Sequence, residues 1–226
     1  MKVCTLLLLT LMGWQLSHSQ VAVVRGNVNV QHPKKKTAGN ADAVVWLTSY
    51  QTHSPVGPGP VAHLLQKNKQ FSPHVVAITT GTTVEFPNRD PFFHDVFSIY
   101  HGKPFDLGLY ESGSSRKVAF TKPGVSYIFC NIHSEMSAVI VALQTPYFAQ
   151  TNASGNFEIT NIPPGRYKME VWYELASASD LEGLARDVQI TPGENVLPAL
   201  VVRVSNSAPE HTNKYGEAYS HDHSSY

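Results

Sequence analysis

The chain has 226 residues, 42% of them hydrophobic, with 15 glycines and 15 prolines, a composition that excludes a disordered or fibrous protein. Only 15% of residues are charged, and 17 Lys+Arg balance 17 Asp+Glu, so no basic surface exists for nucleic acid and such a partner is not expected. Met1-Lys2, the apolar run Thr5 to Met12 and the small-residue stretch Ser17-His18-Ser19 read as a secretory signal over residues 1–20, cut near Gln20. That run is too short to span a bilayer, which needs roughly 20 apolar residues, and no later run approaches that length. The expectation is an exported protein, periplasmic or secreted, with no transmembrane segment. Cys4 leaves with the signal, so Cys130 is the one thiol of the mature chain and no internal disulfide can form.

Period-two patterning dominates the rest of the chain. Val28 and Val30, Val84 and Phe86, Val118 and Phe120, Phe157 and Ile159, and Tyr167-Met169-Val171 alternate with polar neighbours, as half-buried strands do. Turn signals separate them, among them Lys122-Pro123-Gly124, Ala153-Ser154-Gly155-Asn156 and Pro163-Pro164-Gly165. The predicted class is all-β, built from sandwiches or barrels, with one helical turn within Ser179 to Ala185. The Pro/Gly stretch within 51–65 reads as a linker, and 207–226 as a disordered, His-containing tail.

The segment that carries chemistry is Cys130-Asn131-Ile132-His133-Ser134-Glu135-Met136, a CxxHxxM run between the predicted strands Val125 to Phe129 and Ala138 to Leu143. A loop of this length turns a thiolate, an imidazole and a thioether toward one point. A soft thiolate with two imidazoles and a weak axial thioether is the ligand set of a mononuclear blue-copper site. By itself a lone Cys is most often a small buried hydrophobe, and CxxH is common by chance. Structural zinc is disfavoured, because such sites are rich in paired Cys and use no Met. Upstream, Asn88-Arg89-Asp90-Pro91-Phe92-Phe93-His94-Asp95-Val96-Phe97 places His94 at the end of a strand beginning near Thr82, about 36 residues before Cys130.

His94 followed by this CxxHxxM run, together with GTTVEFPN, HDVFS and FDLGLY, resembles the cupredoxins, the plastocyanin-like blue-copper family, over about Phe71 to Leu143. The two-residue gap between His133 and Met136 is most similar to the amicyanin branch. The resemblance implies a Greek-key sandwich or barrel over residues 66–144. It also implies one type 1 copper ion with His94, Cys130 and His133 as strong ligands and Met136 as the weak axial one. Two positions depart from the family pattern: Asp95 stands where Asn commonly ties the ligand loops together, and Ile132 where Pro commonly precedes the second histidine. The first alters hydrogen bonding around the ligands, the second loop rigidity.

Residues 151–167, TNASGNFEITNIPPGRY, resemble the carboxypeptidase regulatory-like, transthyretin-like β-sandwich, whose opening strands match Arg25-Gly26-Asn27-Val28 and Ala43-Val44-Val45-Trp46-Leu47. The expected organisation is a sandwich formed by 21–50 and 145–206, with the copper domain inserted; a simple tandem is the alternative. Trp172 and Tyr173 are candidate aromatics for a carbohydrate, against the plainer expectation that they pack in the core and at its rim.

The remaining histidines, His32, His53, His63, His74 and His101, are expected to be solvated. His221-Asp222-His223 is at most a weak metal site. No GxSxG elbow, P-loop, GxGxxG fingerprint or series of His-x-His pairs suggests an enzyme. The leading expectation is a carrier of single electrons between protein redox partners. Electrons would pass through the ring edge of His133, with Ile132 and Phe92 around it. The alternatives are a copper-trafficking or storage protein and a non-redox scaffold.

Overall fold

A computed structural model describes residues 21–31, 40–51, 56–99, 102–204 and 211–219. The expected signal at 1–20, together with His32, His53, His101 and His221-Asp222-His223, lies outside the described residues. In chain order the strands are β1 (Ala22–Gln31), β2 (Val44–Ser49), β3 (Ala62–His63), β4 (Leu65–Gln66), β5 (Phe71–Ser72), β6 (Val75–Thr79), β7 (Thr83–Pro87), β8 (His94–Ser98) and β9 (Phe105–Tyr110). They continue as β10 (Ser115–Ala119), β11 (Gly124–Cys130), β12 (Ser137–Leu143), β13 (Phe148–Gln150), β14 (Asn156–Ile162) and β15 (Gly165–Trp172). After helix α1 (Ala178–Glu182) come β16 (Arg186–Ile190), β17 (Gly193–Val196) and β18 (Leu200–Arg203). The fold is all-β.

Two sheets hold both ends of the described sandwich. In one, β14, β1 and β17 are neighbours and β18 also pairs with β1; in the other the order is β13-β2-β15-β16. Thus β1 and β2 find their partners more than a hundred residues downstream, with Arg25 opposite Glu158 and Val45 opposite Val171. The inward residues of the predicted alternation, Val28, Phe157, Ile159, Tyr167, Met169 and Val171, fill the core between these sheets. At the turn before β14 the amide of Val28 donates to the carbonyl of Gly155, whose φ is +81°. A Cβ there would stand 2.1 Å from the Val28 oxygen, so this approach requires glycine.

Strands β3 to β12 form the second unit. A sheet of order β6-β12-β11-β8-β9 faces a smaller one of order β10-β7-β3, with Val84, Phe86, Ile128 and Ile140 among the residues between them. β12 is almost wholly buried because both of its faces are covered. Ala138, Ile140 and Ala142 point into the second core, whereas Val139, Val141 and Leu143 pack with Val44, Val75 and Trp172 in a third cluster joining the two units. Each of the larger aliphatic side chains among them, the valines, Ile140 and Leu143, contributes roughly 1.5–3 kcal/mol once fully buried.

Two expectations need correction. The segment 51–65 is not wholly a linker: Leu64 is fully buried, Ala62 and His63 pair with β7, and the Gly59 amide donates to Thr82 Oγ1. His94 does not end the strand that starts near Thr82 but opens a strand of its own, β8, after a turn. Trp172 follows the plainer expectation and packs, so it is not available to a sugar. It alternates away from its own sandwich, as the pattern requires, but the neighbouring unit covers that face and leaves it 8% exposed.

Candidate metal centre

Cys130 ends β11 and Met136 immediately precedes β12, and the turn between them closes on itself. The Met136 amide donates to the His133 carbonyl, and the Cys130 amide to the Met136 carbonyl. β8 lies antiparallel beside β11 with Val96 opposite Cys130, which brings His94, two residues earlier, to the same end of the sheet. His94, Cys130 and His133 meet there. Cys130 Sγ is 3.6 Å from His94 Nδ1 and 3.6 Å from His133 Nδ1, and the imidazole centroids are 4.9 Å apart. Bonds of roughly 2.0–2.3 Å from a first-row metal to imidazole and thiolate set such donors roughly 3.5–3.8 Å apart, so the three atoms fit one ion. Among the described residues this is the cluster of His, Cys, Asp and Glu able to hold a metal. Met136 is fully buried in the same core as Cys130.

The chain orients these donors before any ion binds. His94 Nε2 donates to Asp90 Oδ2 at 2.9 Å, which leaves the Nδ1 lone pair facing the sulfur. Asp90 also accepts the amides of Asn68 and Lys69, and its own amide donates to Asn88 Oδ1. Burial works against its ionisation, but the Lys69 amide, the His94 ring and the Asn68 amide outweigh it and hold the carboxyl below its ordinary range. Burial pushes the His94 imidazole down against the pull of Asp90, keeping it neutral and able to ligate. Burial also raises the Cys130 thiol, against the backbone amides of Asp95, Ile132 and His133, which favour the thiolate. A thiol so placed becomes a thiolate when a cation replaces its proton.

Asp95, the departure expected to alter hydrogen bonding here, still makes a tie. Its carbonyl accepts the Asn131 amide at 2.7 Å and its carboxylate accepts Asn131 Nδ2, tying the two ligand-bearing segments together. Phe92 shields the rings, with centroids 5.4 Å from His94 and 5.3 Å from His133. His133 is 7% exposed, while His94, Cys130 and Met136 are fully buried. Phe93 is exposed and Phe92 and Ile132 are half-buried at the same end.

Sequence reasoning missed several contributors. Asp90 had a local signal, four residues before His94, that was not used. The supposed disordered tail is a larger correction: residues 211–219 lie on the ligand loop. His211 Nε2 donates to the Ser134 carbonyl, the Tyr219 hydroxyl donates to the Cys130 carbonyl, and Lys214 Nζ sits 2.8 Å from Asp95 Oδ2. A few specific contacts order this polar segment without any apolar periodicity. His74 is likewise not simply solvated, for its ring bonds Glu174 and the Ser137 carbonyl.

A family model described as polysaccharide lyase family 4, domain II, matches residues 133–196. The match starts inside the ligand loop and takes in β12, so its edge does not follow the sheet boundaries. No curated protein matches the chain. Among solved structures, the copper-containing nitrite reductase of Thermus scotoductus SA-01 is 31% identical over 39% of this chain and 23% of its own, with a TM-score of 0.36. The chain therefore spans under a quarter of that protein. A purple cupredoxin from Nitrosopumilus maritimus is 23% identical over 36% of this chain and 99% of its own, with a TM-score of 0.33. Amicyanin from Paracoccus versutus is 19% identical over 43% and 97%, with a TM-score of 0.34.

Proposed function

We propose that the protein is an exported carrier of single electrons that holds one type 1 copper ion through His94 Nδ1, Cys130 Sγ and His133 Nδ1, with Met136 as weak axial donor. The observation that carries this reading is the buried sulfur of Cys130 with an imidazole nitrogen 3.6 Å away on each of two histidines, in a core that also holds Met136. Bound copper supplies a one-electron couple, and mixed soft and imidazole donors suit both of its oxidation states. Asp90 fixes the tautomer of His94, the amides of Asp95, Ile132 and His133 steady the sulfur, and Phe92 excludes water.

Among the described residues His94, Cys130 and Met136 are fully covered. His133 is the ligand that reaches the surface, and with Phe92, Phe93 and Ile132 it offers a small apolar face to a protein redox partner. Buried donors are in keeping with a carrier that passes electrons without binding a substrate. Of the tail histidines, His211 is the one among the described residues, and it is engaged by Ser134 and Tyr219. Strands β3 to β12 are then a domain inserted into a regulatory-like sandwich made of the flanking strands. In the test, copper-loaded protein is titrated with reductant and oxidant while its visible thiolate-to-Cu(II) absorption is followed. Reversible bleaching by one electron per chain is expected; bound copper that cannot be cycled would overturn the carrier role.

A further inference from the structure

The segment 211–219 has no part in a four-ligand site, yet it is anchored around the ligand loop. Asn213 shapes it into a turn by accepting the amides of Tyr215 and Glu217. His211 stacks on Phe129 with centroids 3.9 Å apart, and Phe129 is only 2% exposed although it belongs to none of the three apolar cores. The Lys214 amide donates to Asn131 Oδ1 at 3.0 Å. Its ammonium, 14% exposed, lies 2.8 Å from Asp95 Oδ2 and 2.9 Å from Asp106 Oδ2.

Asp95 follows His94, and its carbonyl accepts the amide of Asn131, the residue after Cys130. Its side chain is 7% exposed, and Oδ1 is buried with no partner among the described residues. An uncompensated carboxylate so close to a copper thiolate would favour the more highly charged ion. Coulomb interactions at such depth are poorly screened by salt, and the cation that answers this charge comes from the far end of the chain.

Resting on the copper reading above, we propose that residues 211–219 are a strap that completes the metal centre, with Lys214 as its positioning residue. The Lys214 ammonium offsets Asp95, keeps the reduction potential up and holds Asn131 at the base of the ligand loop. No ligand to the ion comes from the strap. Its effect travels through Asp95 and Asn131.

The test is a redox titration of the full-length, copper-loaded chain in four variants, with deuterium exchange at Asn131 to Ser134 measured on the metal-free proteins. Lys214→Gln is expected to keep the visible band and lower the potential. The drop corresponds to at least a tenfold change in the ratio of Cu(II) to Cu(I) affinity, about 59 mV for one electron. Lys214→Arg should stay near the parent, Asp95→Asn should rise, and the double variant Asp95→Asn/Lys214→Gln should return toward the parent. Exchange in the loop should quicken in Lys214→Gln and not in Lys214→Arg. An unchanged potential in Lys214→Gln, or the same drop whether or not Asp95 is present, would overturn the proposal. If Lys214→Gln does not fold, Asp95→Asn decides alone: a raised potential supports the strap and an unchanged one refutes it. A parent protein that binds copper without a thiolate band would instead refute the copper reading, and loop exchange would still test the strap.

Discussion

The sandwich of flanking strands and the unit that carries the metal centre are both β-structures, but they use burial differently. Among the described residues, nearly all the buried polar side chains belong to the second unit, including Gln66, Asn88, Asp90, His94, Asp95, Ser126 and His133; only Thr145 and Thr151 lie elsewhere. The sandwich interior is filled by aliphatic and aromatic side chains. A buried polar group costs free energy unless it is satisfied, so a region that gathers them, and among the described residues leaves Gln66 Oε1, Asp95 Oδ1 and Ser98 Oγ without a partner, is organised for something other than stability. In the sandwich the interior holds the chain together. In the second unit it also aims donors.

That contrast can be broken by substitution. The largest effect is expected at Cys130: replacement by Ser removes the thiolate of the centre and with it the entire visible charge-transfer band, while circular dichroism of the sheets is kept. Phe157→Ala in the sandwich core, where the ring is 5% exposed, should cost roughly 3–5 kcal/mol in chemical denaturation yet leave the copper spectrum of the folded protein unaltered. Asp90→Asn sharpens the comparison from the other side. Asparagine cannot receive the His94 ring and two amides as a carboxylate does, and metal affinity should fall by roughly 10–100-fold in competition titrations, with a smaller loss of stability.

The smallest effect belongs to the seam between the regions. His74 bonds Glu174 and the Ser137 carbonyl, and the Glu174 hydrogen bond, opposed by burial, lifts the imidazole above its ordinary value. Because the folded state binds the proton more tightly, this contribution is complete below the unfolded value near 6.5 and is lost as pH rises through the folded one. His74 is partly exposed, so its share should stay under about 1 kcal/mol. His74→Gln should flatten the fall in stability of the metal-free protein above neutral pH without moving the copper spectrum.

Alternation made the strands legible. Val84 and Phe86, or Tyr167, Met169 and Val171, point inward as a period of two demands. It could not reveal that β12 and Trp172 are covered on their outward faces, since that depends on a second unit packing there. Of the site, Cys130 and His133 could be read from one short loop and His94 from a resemblance, whereas Asp90 required asking what holds the far nitrogen of His94. Lys214 and Tyr219 could not be found at all. They act across about 80 to 120 residues through single hydrogen bonds and ion pairs, which leave no periodic trace.

The metal centre stands or falls on the ion and its sulfur bond. Metal-free protein offered copper and zinc together, then analysed for metal content and by visible and paramagnetic resonance spectra, should retain one copper per chain. It should show the intense thiolate absorption and the narrow copper hyperfine splitting of a strongly covalent Cu–S bond. Retention of zinc in preference, or of copper with only a weak absorption and an ordinary wide splitting, would contradict it.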